Sequence, residues 1–184
     1  MRTEYAALDD DELLRRMEAG DEEAFAALYR RRQGAVYRFA LQMSGNEAAA
    51  EEVTQEVFLA LIESAKRYEA SRGSLVSWLF GIARNRVLHW LEKDGRYRPA
   101  EEELEVADAL LEDLSKKEKL EVVRQAVLAL PAHYREAVAL CDLQEQSYEE
   151  VARALGCAVG TVRSRLARGR AMLAGKLRQS RCLT

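Results

Sequence analysis

The sequence is poor in residues that interrupt helices, since its 184 residues include only two prolines and ten glycines. Alanine, leucine, glutamate and arginine dominate instead, and no segment alternates apolar and polar residues with the period of a strand. This composition excludes a β-rich protein and predicts an all-α fold.

Further absences limit the class of function. The chain has three cysteines without a C-x-x-C pair and two histidines, so no metal site is expected. Cys141 and Cys157 occupy apolar helix positions and are expected in the core, whereas Cys182 lies in the tail. The chain shows no nucleophile–base pairing and no glycine-rich phosphate loop, so we assign no catalytic residue and no cofactor and expect no enzyme.

The sequence also lacks the signals of a membrane or secreted protein. No apolar run approaches the roughly 20 residues that cross a bilayer. The acidic N-terminus has no signal-peptide pattern. The sequence therefore predicts a cytoplasmic protein without membrane insertion.

The C-terminal segment lacks acidic residues altogether. Between Val151 and Thr184 there are eight Lys or Arg and no Asp or Glu, although the whole chain has a net charge of −3. Neutralising DNA phosphates requires such a local patch and not a basic average. This distribution indicates that the C-terminal end contacts nucleic acid.

The same segment has the pattern of a helix-turn-helix. Ser147 and Glu150 form a capping box that begins one helix, and Gly156 ends it in the left-handed conformation. A second helix begins near Ala158, and its buried stripe consists of Val159, Val162, Leu166 and Leu173. The opposite side carries the candidate DNA contacts: Gly160, Thr161, Ser164 and Arg168, flanked by Arg163 and Arg165. The pattern predicts a helix that enters the major groove, with a solvated basic hairpin as the alternative.

The remaining chain predicts two small helical domains joined by an acidic flexible linker. The first domain, residues 1–94, has four helices that run from Asp9 or Asp10 to Gly20, from Asp21 to Ser44, from Asn46 to Lys66 and from Leu75 to Lys93. Residues 95–115 are predicted as the linker, because 99–114 hold seven acidic residues and no basic one. Residues 116–184 form a second domain of four helices, which ends in the helix-turn-helix.

Two surfaces of the first domain differ in charge. Residues 66–98 hold eight Lys or Arg against three acids, interleaved with aromatic residues, which suits single-stranded nucleic acid. The helical spacing of Trp78 and Ile82 fits a buried core equally well. The helix over 47–66 instead carries an acidic face, which fits either a solvated surface or docking on a basic partner helix. Its apolar positions, Ile62 included, are expected to form one broad buried stripe.

Four motifs, in this order, resemble the extracytoplasmic-function sigma factors, the small two-domain class of bacterial transcription initiation factors. They are A-E-E-V-T-Q-E-V-F at 50–58, S-W-L-F-G-I-A-R-N at 77–85, A-L-P-A-H-Y-R-E-A-V at 129–138 and G-T-V-R-S-R-L-A-R-G-R at 160–170. The resemblance covers about residues 10–178. Glu52 stands where the family more often has Asp. Gly169 stands where it more often has Ala, and is expected to loosen the end of the recognition helix.

The resemblance implies a role for each motif. Docking on RNA polymerase is assigned to Glu52, Gln55 and Glu56. Capture of an unstacked base of the minus-ten element is assigned to the loop 68–74 and its helix, by Tyr68, Arg72, Trp78, Arg84 and Asn85. Reading of the minus-thirty-five element is assigned to Thr161, Arg163, Ser164, Arg165 and Arg168. The implied partners are core RNA polymerase, promoter DNA and an anti-sigma factor that wedges between the two domains.

Two other classes of function remain open from the residues. One is a helix-turn-helix regulator that acts as a dimer on duplex DNA without docking on polymerase. The other is an all-α protein-interaction module whose arginine-rich helix is only solvated surface.

Overall fold

The computed structural model describes residues 4–95 and 116–179, and within these ranges the regular structure is entirely helical. The predicted all-α fold class is confirmed. The predicted linker falls, except for residue 95, outside the described residues. None of the helices in the described ranges combines the length and the apolar character of a membrane span.

The N-terminal half contains five α-helices, which are α1 (Glu4–Ala7), α2 (Asp10–Glu18), α3 (Glu22–Ser44), α4 (Glu47–Ser64) and α5 (Leu75–Lys93). The caps predicted at Asp9, Asp21 and Asn46 accept hydrogen bonds from the backbone N–H three residues later, at 2.7, 3.1 and 3.0 Å. Two short 3₁₀ turns, over Ala65–Arg67 and Ala70–Arg72, fill the connection between α4 and α5. The sequence did not predict α1.

The C-terminal half contains α6 (Lys116–Leu128), α7 (Ala132–Val138), α8 (Tyr148–Leu155) and α9 (Val159–Gln179), and a π-helical turn, Ala139–Leu143, continues α7. Ser147 caps α8 by accepting a hydrogen bond from the N–H of Glu150 at 3.2 Å. Gly156 ends α8 with a φ of 62°, in the predicted left-handed conformation. The Glu150 side chain instead accepts a hydrogen bond from Ser74 in the other half of the chain.

The two halves share one apolar core. Phe39 of α3 and Phe80 of α5 meet edge to face, with ring centroids 5.5 Å apart, and both are fully buried. The same cluster of buried side chains continues into the C-terminal half through Leu140, Val151 and Leu155. The halves therefore pack against each other.

A close approach of two helices and several polar contacts accompany this packing. At Gly81 of α5 an added Cβ would lie 3.4 Å from the carbonyl oxygen of Ala154 in α8, so the two helices approach closely. The Gln144 amide donates to that of Gln42 at 3.1 Å. Arg135 reaches across from α7 and donates through Nη1 to the carbonyl of Met43 at 2.5 Å.

A smaller apolar cluster fixes α9 against α7, built on Leu130, Ala137, Val138 and Leu166. Gly169 lies at the closest approach, where an added Cβ would be 2.8 Å from Cγ2 of Val138. The expected loosening at Gly169 is wrong, because α9 continues to Gln179 and the glycine is buried against α7. Its missing side chain is what permits the contact.

Candidate nucleic-acid interface

The outward face of α9 follows the predicted register. Arg163, Ser164 and Arg168 are exposed, whereas Val162 and Leu166 beneath them are buried. Thr161 is half-buried, and its carbonyl accepts a hydrogen bond from the Ser164 hydroxyl at 3.0 Å. A helix with a buried apolar stripe and exposed arginines opposite it can enter a major groove.

The arginines along α9 differ in what they contact. The Arg163 guanidinium carbon lies 5.7 Å from the ring centroid of Tyr148, a cation–π distance. Arg170 is held by Asp142, with its Nε and Nη2 at 3.0 and 2.5 Å from the two carboxylate oxygens. Arg165 is half-buried, and its Nη1 lies 4.0 Å from the Glu136 carboxylate.

The pKa of His133, on α7, is affected by the positive charge near α9. Burial and the nearby guanidinium groups of Arg165 and Arg168 lower the pKa of His133 below its ordinary value. The imidazole is therefore neutral near pH 7 and adds no charge to this surface. The positive charge along α9 comes from its arginines and Lys176.

The second predicted DNA surface, on α5, forms one wall of a groove of about 420 Å³. Trp78, Arg84 and Asn85 line this wall, and residues 153–156, at the C-terminal end of α8, line the other. Trp78 is half-buried and Asn85 is exposed, so the groove combines an aromatic ring with an accessible amide. The loop over 68–74 lies at its end, as the spacing of the motif predicts.

Tyr68 anchors the loop over 68–74. Its hydroxyl lies 2.8 Å from the Asp11 carboxylate and 3.0 Å from the carbonyl oxygen of Gly73. Burial and the Asp11 carboxylate raise the pKa of Tyr68 far above its ordinary value, so the hydroxyl stays protonated as a donor. The Tyr68 ring packs on Trp78 with centroids 5.9 Å apart, while Arg72 at the loop tip is exposed.

Arg84 points into the protein. Its Nε donates to Oε1 of Glu136 at 2.8 Å, and the Glu136 side chain is 1% exposed. Burial raises the pKa of Glu136 and the neighbouring Arg84 opposes that rise. Arg84 thus already has a buried, charged protein partner, which the C-terminal half supplies.

The outer face of α4 presents a different chemistry. Glu52 and Gln55 are exposed, and Glu56 is half-buried with its carboxylate 3.5 Å from Nε of Arg86. The three residues predicted for polymerase docking therefore lie on one accessible helix face. The Glu56 carboxylate is therefore partly neutralised by Arg86 of α5.

Sequence reasoning missed two apolar members of this α4 face. Leu59 and Ile62 are 57% and 54% exposed, and they follow Glu52 and Gln55 at helical spacing. The assignment of Ile62 to the buried stripe is wrong, because Val57 and Leu61 already face the core. Spacing from Glu52 and Gln55 was the signal that could have found them. An exposed apolar pair beside carboxylates is typical of a docking surface.

The described residues contain no cluster of three or more His, Cys, Asp or Glu side chains placed to hold a metal ion. Cys141 and Cys157 are half-buried free thiols that pack against the core. Burial, with a contribution from Asp142, raises the pKa of Cys141 to about 11, which keeps this thiol protonated and unreactive near pH 7. Cys182 lies outside the described residues.

Comparison with known protein families identifies both halves. Residues 28–97 match Sigma-70 region 2, and residues 120–173 match Sigma-70, region 4. The first range contains the α4 face and the α5 groove, and the second contains the helix-turn-helix.

Curated relatives cover most of the chain. The ECF RNA polymerase sigma factor SigE of Mycolicibacterium smegmatis is 37% identical over 84% of this chain, which spans 63% of that relative's length. SigM of Mycobacterium tuberculosis is 36% identical over 90% of this chain and 83% of its own length. The sigma-E factor of Escherichia coli is 31% identical, over 92% and 95% of the two chains.

Solved structures show the same arrangement of helices. CnrH in complex with the cytosolic domain of CnrY has a TM-score of 0.72 at 26% identity, covering 92% of this chain and 98% of that one. The sigma factor RpoE of Bartonella quintana, solved with the anti-sigma factor NepR, has a TM-score of 0.66 at 28% identity, covering 84% and 96%.

Proposed function

The chain belongs to the extracytoplasmic-function RNA polymerase sigma factors, and from that premise we propose that it docks on core RNA polymerase and directs it to promoters. The observation that carries this proposal is the presence of two separate accessible faces. The α9 face with Arg163 and Arg168 suits duplex DNA, and the α4 face with Glu52, Gln55 and Leu59 suits a protein partner.

At the minus-thirty-five element, α9 lies in the major groove. Arg168 is exposed and reads a base edge, since a bidentate arginine–guanine pair is the commonest specific contact there. Arg165 lies along the groove wall and contacts a phosphate, Arg163 can serve either role, and Thr161 and Ser164 supply hydroxyls. These contacts set the position of the polymerase on the promoter.

At the minus-ten element, the α5 groove and the loop over 68–74 capture a base of the non-template strand. Extruding a base costs a few kcal/mol, and the protein surface offsets this cost with stacking and hydrogen bonds. Trp78 supplies an aromatic surface, the Asn85 amide supplies hydrogen bonds, and Arg72 and Arg84 neutralise phosphates. The protein contributes binding energy only, and the polymerase performs the phosphodiester chemistry in the cytoplasm.

An anti-sigma factor is the proposed regulatory partner. The relative from Bartonella quintana was solved with one, and this chain has the same arrangement of helices. Because the two halves share one apolar core, the predicted wedge between them would require them to separate. We infer instead that such a partner stabilises the packed halves and so restricts the α5 groove.

A helix-turn-helix regulator without polymerase docking is the less favoured function. It leaves the exposed Leu59 and Ile62 beside Glu52 unexplained, because α9 alone suffices to bind an operator. The α4 face therefore separates the two functions experimentally.

The decisive experiment is holoenzyme formation by a variant with both Glu52→Lys and Leu59→Ser. We expect co-elution with core polymerase in gel filtration to be lost while duplex DNA binding is kept. The matched control is Glu18→Lys with Glu22→Lys, two exposed carboxylates outside α4 that should leave co-elution unchanged. Normal co-elution of the α4 variant would refute the docking assignment.

Base capture is tested separately with Asn85→Ala. We expect slower open-complex formation on a duplex promoter and near-normal activity on a pre-melted bubble. The strands of the bubble are already unpaired, so the protein does not have to offset the cost of separating them. An equal loss on both templates would count against a base-capture role for Asn85.

A further inference from the structure

Glu136 is an anomalous side chain in this fold. It is 1% exposed at the junction of the two halves, and its Oε2 has no hydrogen-bond partner among the described residues. A buried carboxylate oxygen without a partner is costly, so its retention calls for an explanation.

The charged neighbours of Glu136 come from both predicted DNA-binding helices. Arg84 of α5 donates to Oε1 at 2.8 Å, and Nη1 of Arg165 in α9 lies 4.0 Å from Oε2. One carboxylate thus neutralises one arginine from each half. A carboxylate and a phosphate oxygen offer a guanidinium the same charge-assisted hydrogen bond.

This geometry conflicts with promoter binding. Both arginines lie within 4.0 Å of one carboxylate, so their guanidinium groups are far closer together than two separate promoter elements. Elements named minus ten and minus thirty-five are about 25 base pairs apart, or roughly 85 Å at 3.4 Å per base pair. The two halves must therefore separate before both elements can be occupied, and Arg84 must then leave Glu136.

The Arg84–Glu136 contact also differs from other polar contacts between the halves. The Gln144–Gln42 contact joins two uncharged amides. In the other two contacts a charged side chain meets a neutral group: Arg135 donates to a backbone carbonyl, and Glu150 accepts from the Ser74 hydroxyl. Arg84 and Glu136 instead bring opposite charges together at a largely buried position, where an ion pair is screened least. Loss of one partner therefore leaves the other charge uncompensated.

We propose that Glu136 is an internal latch, which occupies on Arg84 the place of a DNA phosphate and so holds the chain closed against promoter DNA. The DNA-binding role of Arg84 in this inference rests on the proposed function. The contact between Arg84 and Glu136 that closes the chain does not. Promoter DNA opens the chain by exchanging the Glu136 carboxylate for one of its own phosphates on Arg84.

The test measures opening and DNA binding separately on the full chain. Glu136→Gln keeps the shape of the side chain and removes its charge, and Glu149→Gln, an exposed residue on α8, is the control with the same change in charge. Small-angle scattering reports opening, since a compact chain of 184 residues has a radius of gyration of ~16 Å. Fluorescence anisotropy with a labelled single-stranded oligonucleotide of randomised sequence reports DNA affinity.

We expect Glu136→Gln to increase the radius of gyration by several ångström and to tighten oligonucleotide binding by at least about fivefold, the lower end of typical coupling between sites. The Glu149→Gln control should match the wild-type chain in both measurements. Unchanged scattering from Glu136→Gln, with helicity intact by circular dichroism, would overturn the latch.

Arg84→Gln separates failure of the latch from failure of the proposed function. It removes the same ion pair from the other half and should open the chain without a gain in oligonucleotide affinity. If both variants open and bind the oligonucleotide equally, the closing contact stands, but Arg84 is not a DNA contact and Glu136 does not take the place of a phosphate. If Glu136→Gln loses helicity, scattering of Arg84→Gln decides, and a closed Arg84→Gln chain overturns the proposal.

Discussion

The two helices predicted to contact DNA, α5 and α9, meet opposite surroundings in the same molecule. On α9, Arg163 and Arg168 are exposed, whereas on α5 Arg84 is turned inward onto Glu136 of the other half. The surface predicted for the minus-thirty-five element is thus exposed, and the surface predicted for the minus-ten element is partly covered by the C-terminal half.

The proposed function gives this difference a reason. Reading a duplex requires only an exposed helix face, because the base edges of the major groove are already accessible. Capturing a base requires strand separation first, which costs a few kcal/mol. A base-capture surface that becomes accessible only on opening would not bind stray single strands, and the contacts between α5 and α8 provide such closure.

The largest expected effect lies on the open surface. Arg168→Ala should cost about 1–3 kcal/mol of binding and relax the preference at one base pair of the minus-thirty-five element. Arg165→Ala should cost less, weaken all sequences alike and lower the salt slope by about 1, as expected for a phosphate contact. Arg165 also faces Glu136, so part of its charge is already compensated.

The measurement is competition of each variant against a library randomised across the minus-thirty-five element. Unaltered preference at every position for Arg168→Ala would reduce that arginine to a member of the electrostatic patch. A base-specific loss for Arg165→Ala would instead show that the more buried arginine reads the groove, and would reverse the assignment of the two side chains.

The next effect is on stability, and it distinguishes the side of α9 that is buried against α7 from its exposed side. Gly169→Ala places a methyl group against Val138, and overpacking of this kind costs about 1–3 kcal/mol, offset by about 1 kcal/mol of helix propensity. We expect a net loss of roughly 1 kcal/mol in the free energy of unfolding. The control is Gly160→Ala on the exposed side, where nothing lies within 4 Å and stability should stay the same or rise.

Urea unfolding at an unchanged m-value checks both glycine variants. If Gly169→Ala were as stable as Gly160→Ala, the close approach of α9 to α7 would not be what requires a glycine, and helix propensity alone would account for the two variants.

The features that sequence reasoning predicted correctly are local. Asp9, Asp21, Asn46 and Ser147 cap helices because each bonds an N–H only three residues away. The register of α9 likewise followed from its own apolar stripe. Short-range hydrogen bonds and helical periodicity can be read along a single segment.

The features that it missed join distant segments. Arg84 and Glu136 are 52 positions apart, and Ser74 and Glu150 are 76 apart, so neither pair leaves a local signal. Ile62 was misplaced for a related reason: α4 is apolar over a broad arc, and only the packing of α3 and α5 decides which part of that arc is covered. The closed state of the α5 surface could not be predicted from the motifs that define it.

The smallest expected effect concerns the loop at the end of the α5 groove. Tyr68→Phe keeps the ring on Trp78 but removes the hydroxyl that contacts Asp11 and the Gly73 carbonyl. A hydrogen bond of this kind contributes about 0.5–1.5 kcal/mol, so we expect a loss of that size in the free energy of unfolding. Tyr37→Phe is the control, because the Tyr37 hydroxyl makes no hydrogen bond within the described part of the chain.

Tyr68→Phe also tests whether loop geometry serves base capture. With the loop released, open-complex formation on duplex promoter should slow, while binding to a duplex with only the minus-thirty-five element should be unchanged, since α9 is not involved. If Tyr68→Phe destabilised the fold as expected but left promoter opening at the wild-type rate, the loop would be a structural connection between α4 and α5. Base capture would then belong to the α5 groove alone.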